Sequence, residues 1–272
     1  MGSLVKEWIR YGNEQQYSGY LTYARRAPLP LPTVIVIQEA WGVDRFIESV
    51  SHRLALAGYA AFAPDLYAHA GERPALLTRE RVAELQGFVN ELPHGVWQDQ
   101  EKREAALAQL PEPQRTTLRA THGAFVKAVG SDKHLEPLLA ATTYLRTEQA
   151  ASKGQKLGSV GFCLGGGLSA RLAAADPELA AAVIFYGTSP SDELVAKINA
   201  AVLGLYGELD PRINATIPAF AAAAERHGKR FEHHIYPGAQ HAFFNDNRPS
   251  YDLAATRDAF VRVLSFFQQH LA

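Results

Sequence analysis

Cysteine is almost missing from this chain. Cys163 stands alone among 272 residues, so no intramolecular disulfide can form. Neither sign of charge dominates: 27 Lys and Arg face 28 Asp and Glu, a net charge of −1, and the basic residues are scattered. That balance argues against nucleic acid or an anionic membrane surface as the main partner. No apolar run approaches the ~20 residues needed to span a bilayer, and the opening MGSLVKEWIRYG lacks the apolar core of a secretory signal. Met1-Gly2 could begin a myristoylation motif, but Lys6 stands where that motif wants Ser or Thr. A cytoplasmic chain is therefore expected. Internal repeats and low-complexity tracts are also missing.

What is present is a large apolar fraction, 47% of residues, enough for a chain of this length to bury roughly three quarters of its unfolded surface. One α/β domain over residues 1–272 accommodates it. Residues 5–11 and 17–23 alternate around Gly12-Asn13-Glu14 and predict an antiparallel hairpin at a sheet edge. TVIVIQ at 33–38 is a β-branched run of the kind buried on both faces of a central parallel strand. Further strands are predicted at 59–63, 157–162, 180–186, 201–206 and 231–236. Helices are predicted at 46–57, 135–149, 213–227 and 251–271. The alternation predicts a doubly wound, mostly parallel sheet with helices on both faces. Residues 73–133 break it, being rich in Glu, Arg, Gln and Pro, with helical stretches interrupted at Pro93, Pro111 and Pro113. So long a link reads as a helical insertion, either a cap over the site or a solvated decoration.

One stretch organises the rest. In KLGSVGFCLGGGLSARLAAA, residues 156–175, an apolar strand pattern runs into Cys163, flanked by Gly161 and Gly165, and a helical pattern follows. A strand that turns sharply into a helix holds its tip residue in a strained conformation and needs small neighbours. The tip side chain is then presented beside the helix N-terminus, where a thiolate or an oxyanion is stabilised. A lone cysteine is more often core packing, so this reading needs a base and a carboxylate nearby. Glu39, Asp210 and His241 supply them. Each follows a predicted strand, as Cys163 does, and carboxyl ends of parallel strands share one edge. The order nucleophile, acid, histidine is that of α/β-hydrolases. Taken singly, Glu39 reads rather as a helix cap, Asp210 as a turn residue before Pro211, and His241 as a loop imidazole.

Five segments together resemble the dienelactone hydrolase family, the carboxymethylenebutenolidases. They are QEAWGVD (38–44), Gly58-Tyr59 with PDLY (64–67), GFCLGGG (161–167), GELD (207–210) and HAFFND (241–246). The resemblance spans most of the chain except residues 88–133. It implies an α/β-hydrolase fold, Cys163 as nucleophile, His241 as general base, Asp210 as the residue orienting it, and Glu39 as a fourth participant touching the thiol. The backbone N–H groups of Leu164 and Ala40 are the expected oxyanion donors. Compact members of the family carry an Arg four residues after the catalytic His, gripping a substrate carboxylate. Here that position is Asn245, which cannot form a two-pronged pair. Arg81 is the replacement considered, with Arg79 and Arg248 as further candidates. On the bland reading Arg79 and Arg81 pair with Glu80 or Glu84, and Arg248 with Asp246 or Asp252. Trp41, Phe243 and Asn245 are expected to line the substrate site with Arg81.

The expected reaction is cleavage of enol lactones or activated esters through a Cys-His-Asp triad and a thioester, with neutral or larger substrates tolerated. No cofactor and no metal are expected, because His233 and His234 alternate across a strand and no ligand spacing of zinc type occurs. The partner is a small-molecule lactone or ester, and the chain is expected as monomer or homodimer. Two other classes fit the fold. A thiol sensor would have to work without a resolving cysteine, and a binding module would keep the pocket without turnover.

Overall fold

The computed structural model describes residues 2–93 and 95–272. Its frame is one eight-stranded sheet in the order β1-β2-β4-β3-β5-β6-β7-β8. β1 (Leu4–Tyr11) and β2 (Tyr17–Ala24) form the antiparallel hairpin at one edge, and β2 pairs antiparallel with β4 (Ala60–Pro64). From β4 onward the sheet is parallel, through β3 (Thr33–Ile37), β5 (Leu157–Phe162), β6 (Ala181–Phe185), β7 (Ala201–Gly207) and β8 (Phe231–Tyr236).

Successive strand residues point to opposite faces, and the two apolar layers follow from that period of two. Val34, Val36, Val160, Phe162, Val183 and Phe185 point to one layer with Phe46, Ile47 and Phe267. The helices on that side are α1 (Arg45–Leu56) and α10 (Leu253–Leu271). Ile35, Ile37, Leu157, Ala182, Ile184 and Val202 point to the other layer. It is covered by α5 (Leu135–Thr147), α6 (Leu164–Ala175) and α9 (Ile217–Arg226). Five residues each of β3, β4 and β6 are buried without exception, which is why these strands read as unbroken apolar runs rather than alternating ones. Asp44 caps α1 by accepting from the Ile47 N–H at 3.0 Å, and Gly58, at φ +99°, takes the left-handed turn that ends it.

Between β4 and α5 lie α2 (Arg79–Glu91), α3 (Gln100–Ala108) and α4 (Glu112–Val129), with single 3₁₀ turns at Ala75–Leu77 and Asp132–His134. They share a small apolar cluster of their own, Leu77, Val82, Leu85, Leu107, Leu118 and Phe125, and Trp41 joins it from the loop after β3. Pro93 and Pro111 do separate helices, but Pro113 does not: it lies in the first turn of α4, where a missing N–H is no loss. The helix predicted at 213–227 is two, α8 (Pro211–Asn214) and α9, parted where Thr216 turns its hydroxyl back to the Ile213 carbonyl ahead of Pro218. A short α7 (Asp192–Lys197), unforeseen in the sequence, follows β6.

Candidate active site

Cys163 is the residue between β5 and α6, at φ 55° and ψ −110°. A non-glycine residue there is strained by about 1–3 kcal/mol, held only because its surroundings over-determine it. Part of that support is the Cys163 N–H bond to the Phe185 carbonyl at 3.0 Å. The glycines are required by close approach. A Cβ on Gly161 would stand 1.8 Å from the Gly165 carbonyl oxygen, and one on Gly165 would stand 2.4 Å from the Ile37 carbonyl oxygen. The strand and the helix thus touch through bare backbone, and the Cys163 side chain, partly exposed, heads the first turn of α6.

His241 follows β8 and Asp210 follows β7. The imidazole Nδ1 lies 2.5 Å from Asp210 Oδ2, and Asp210 is buried while the His241 side chain is one-third open. Burial opposes protonation of His241, but the Asp210 hydrogen bond, and the bond and charge that Cys163 contributes, outweigh it and push the imidazole up to about 10. The same histidine is therefore coupled to a carboxylate on one side and to the sulfur on the other. Neither the Leu164 N–H, first in α6, nor the Ala40 N–H makes a hydrogen bond among the described residues, so both are free to donate. The Ala40 loop is anchored where the Tyr67 hydroxyl donates to the Ala40 carbonyl at 2.5 Å and the Leu66 N–H donates to Gln38 Oε1 at 3.1 Å.

Glu39, expected to touch the thiol, has its hydrogen bonds with other partners. Its Oε1 accepts from the Tyr186 hydroxyl at 3.2 Å and its Oε2 from Asn245 Nδ2 at 2.9 Å, and it makes no hydrogen bond to Cys163. Burial holds Glu39 above the ordinary carboxylate range and the charge of Asp44 adds to this, against the opposing pull of the Asn245 bond, Arg248 and His241. Asn245 is completely buried by this duty and is not open to a ligand. Phe243, also without exposure, packs on Tyr186 and Tyr236 inside the core. Both were expected to line the substrate site, and both are instead turned inward by the chain. The cause is Ala242, whose left-handed φ of 62° folds the segment after His241 back on the sheet.

Tyr186 was missed. It ends the run AAAVIFY at φ 39°, its ring centroid is 5.0 Å from that of His241, and it is fully buried. Burial, then the charges of Glu39 and Cys163, hold its hydroxyl well above the ordinary tyrosine range, so it stays a donor. Applying the carboxyl-end rule to β6 as it was applied to the other strands would have found it.

The arginines also differ from expectation. Arg81 reaches Thr121 Oγ1 at 3.5 Å within the helical segment, while Arg79 pairs with Glu48 of α1 and lies 5.0 Å over the Trp8 ring. Arg248 pairs with neither Asp246 nor Asp252. It donates to Asn90 Oδ1 at 2.7 Å, stands 5.7 Å over the Trp41 ring, and its charge reaches Glu39 and Tyr186. Trp41 stacks on Phe125 of α4 at 4.9 Å and edges a cavity of about 380 Å³ with Arg73, Arg79 and Gln86. No helix among the described residues is long and apolar enough to cross a membrane.

The family model described as "Dienelactone hydrolase family" matches residues 18–271. A protein of Saccharolobus solfataricus assigned as a carboxymethylenebutenolidase is 35% identical over 244 residues, covering 88% of this chain and 90% of that one. Another with the same assignment, from Methylorubrum extorquens, is 31% identical over 252 residues, covering 89% and 73%. A crystal structure from Klebsiella pneumoniae subsp. pneumoniae, assigned as a dienelactone hydrolase, superposes with a TM-score of 0.67 at 26% identity, covering 99% of this chain and 100% of that one.

Proposed function

The chain belongs to the dienelactone hydrolase family of carboxylic ester hydrolases, and we propose that it cleaves enol lactones or activated esters with Cys163 as nucleophile, His241 as base and Asp210 orienting the imidazole. The observation that carries this reading is the strained Cys163 at the head of α6, coupled to an imidazole whose other nitrogen is on Asp210.

In the first step the thiolate attacks the carbonyl carbon, a C–S bond forms, and the oxyanion is received by the Leu164 and Ala40 N–H groups. Collapse breaks the acyl C–O bond, and the enolate leaves with the proton carried by His241. Water then gives a proton back to the imidazole as it attacks the thioester, the C–S bond breaks to regenerate the thiolate, and the product acid loses its remaining proton to solvent and leaves as the carboxylate. An enolate is a better leaving group than an alkoxide. Ordinary alkyl esters would return to substrate by expelling thiolate, so enol lactones should turn over far better.

Tyr186 and Asn245 are positioning residues in this scheme. Both oxygens of Glu39 accept from them, which fixes the orientation of a buried carboxyl whose pKa is raised by burial. On this reading the helical insertion of residues 73–133 caps the site within a single domain, and the Trp41–Phe125 stack that joins it to the Glu39 loop supports this. Arg248, over Trp41 and without an ion-pair partner among the described residues, is a better placed cation than Arg81 to attract an anionic substrate.

A panel of lactones and aryl esters assayed with wild type and Cys163→Ala, alongside stoichiometric alkylation of Cys163, tests the reading. Turnover of enol lactones blocked by one equivalent of iodoacetamide is the expected result. Turnover that survives in Cys163→Ala would sink it.

A further inference from the structure

An oxyanion donor works only where its N–H is aimed, and Ala40 lies in no helix or strand that would aim it. Ala40 and Trp41 are the middle residues of a turn that the Gly42 N–H closes on the Glu39 carbonyl at 3.3 Å. In the peptide plane joining Glu39 to Ala40 the N–H points opposite to the C=O, so the closing bond on the Glu39 carbonyl turns the Ala40 N–H outward. The next plane, joining Ala40 to Trp41, is the one whose flip separates turn types I and II. Its carbonyl accepts from the buried Tyr67 hydroxyl at 2.5 Å.

Tyr67 is itself clamped. Its N–H donates to Asp65 Oδ1 at 3.1 Å, and Asp65 Oδ2 accepts from Arg73 Nε at 2.6 Å. The two side chains of that ion pair are closed to solvent, at 7% and 5% exposure. The Arg73 guanidinium stands 5.8 Å over the Tyr67 ring. Its Nη2, which makes no hydrogen bond, reaches the turn: a Cβ on Gly42 would lie 2.5 Å from it. A buried ion pair is weak evidence for stability, and its best-attested use is to fix a register. Here it ties the loop after β4 to the turn after β3. Burial holds the Tyr67 hydroxyl above the ordinary tyrosine range, against the pull of Arg73, so it remains a donor.

We infer that Tyr67, backed by the Asp65–Arg73 pair, is a positioning residue for the oxyanion site: its hydroxyl fixes the middle peptide of the 39–42 turn and so keeps the Ala40 N–H aimed at the charge that develops on the substrate oxygen. The inference rests on the proposed attack by Cys163. That charge exists only once the C–S bond is forming, so loss of the hydroxyl is felt in kcat rather than in substrate affinity.

Tyr67→Phe removes the hydroxyl and keeps the ring. Full-length wild type, Tyr67→Phe and Cys163→Ala are compared for turnover of an enol lactone, affinity for an aryl trifluoromethyl ketone, and alkylation of Cys163 by iodoacetamide. Thiolate attack on the ketone makes a tetrahedral oxyanion, whereas alkylation displaces iodide from a saturated carbon and makes none. In Tyr67→Phe, kcat and ketone affinity should both fall about tenfold or more, while KM and the alkylation rate stay within about twofold. Unchanged kcat or ketone affinity, or alkylation slowed as much as turnover, overturns the inference and leaves Cys163 as nucleophile. Turnover that persists in Cys163→Ala overturns the underlying reading and this inference with it. Should Tyr67→Phe fail to fold, Arg73→Lys is the second variant, keeping the charge opposite Asp65 but losing the guanidinium over the Tyr67 ring and against Gly42. The same split between turnover and alkylation is expected, and wild-type turnover in it overturns the inference.

Discussion

The carboxyl edge of the sheet and the helices of residues 79–129 are built to different tolerances. On the sheet, β3 and β6 are buried on both faces, and α6 buries seven of its twelve residues against them. A side chain that follows such a strand has its origin fixed by the pleat and by both neighbouring strands. α2 buries two of thirteen residues and α3 one of nine, and the three helices meet mainly one another. Few buried contacts mean a low free energy of local opening. The sheet edge can therefore hold reacting groups within hydrogen-bond tolerance, while the helical segment can shape or cover a site without carrying the chemistry.

The sharpest break between the two regions is expected at the sheet edge. Cys163→Ala should lower kcat for an enol lactone by about a thousandfold or more with the fold retained, and His241→Ala nearly as much, since nucleophile and base act as a unit. Circular dichroism with single-turnover assays checks both. Activity within a few-fold of wild type in either variant would move the chemistry elsewhere.

Asp210→Asn should cost less than His241→Ala, about a hundredfold or more in kcat, through loss of the imidazole's orientation. It also has a pH signature. The folded-state value of His241 is raised from the ordinary 6.5 to about 10. A raised value stabilises the fold fully below about 6.5, and the contribution is lost as pH rises through about 10. Part of that stabilisation is the Asp210 bond, so the Tm gap between wild type and Asp210→Asn should be widest near pH 6 and should shrink toward pH 10. A gap constant over that range would separate Asp210 from the imidazole.

In the helical segment the effects should be on stability and KM. Trp41→Ala removes a buried ring stacked on Phe125 and should destabilise by about 3–5 kcal/mol, and Leu118→Ala, in the same cluster, by about 2–5 kcal/mol. Denaturant titration measures both. If the segment caps the site, KM should rise with each while kcat moves less. Unchanged KM in both variants would leave a solvated decoration, the other reading of residues 73–133. The smallest effect should be that of Tyr186→Phe, which leaves Oε1 of Glu39 without its donor. A few-fold change in the alkylation rate of Cys163 at neutral pH is expected, with little change in overall stability.

Most of the sheet was legible because burial on both faces leaves a continuous apolar run, and the position of Glu39, Cys163, Asp210 and His241 at the carboxyl edge because the loops after those strands are short. What was not legible is direction. Once a strand ends, nothing of period two remains to say whether the next side chain faces the opening or the core. HAFFND is the clearest case: Ala242 in a left-handed conformation sends Phe243, Phe244 and Asn245 inward, where a regular continuation would have exposed some of them. Tyr186 escaped for the same reason, read as the last strand residue although its φ of 39° already belongs to the turn. Arg248 illustrates a second limit. Its partners, Asn90 and Trp41, are about 160 and 200 residues away in sequence, so charge patterning among near neighbours pointed instead to Asp246 and Asp252.

The backbone contact at the elbow bears on which sequences could ever fill this fold. Besides the Gly161–Gly165 approach, a Cβ on Gly187 would lie 2.5 Å from the Gly166 carbonyl carbon, so the turn after β6 and the first turn of α6 are also in bare contact. None of these near neighbours is a flexible side chain that could swing aside. A library randomised at Gly161, Gly165, Gly166 and Gly187 should therefore not return a graded series from small to large residues. It should return glycine or unfolded protein, and alanine should fail almost as badly as valine. For a designer this means that the four small neighbours of position 163 cannot be exchanged, and diversification of the enzyme has to be sought in the helical segment, where a change of residue more often meets solvent.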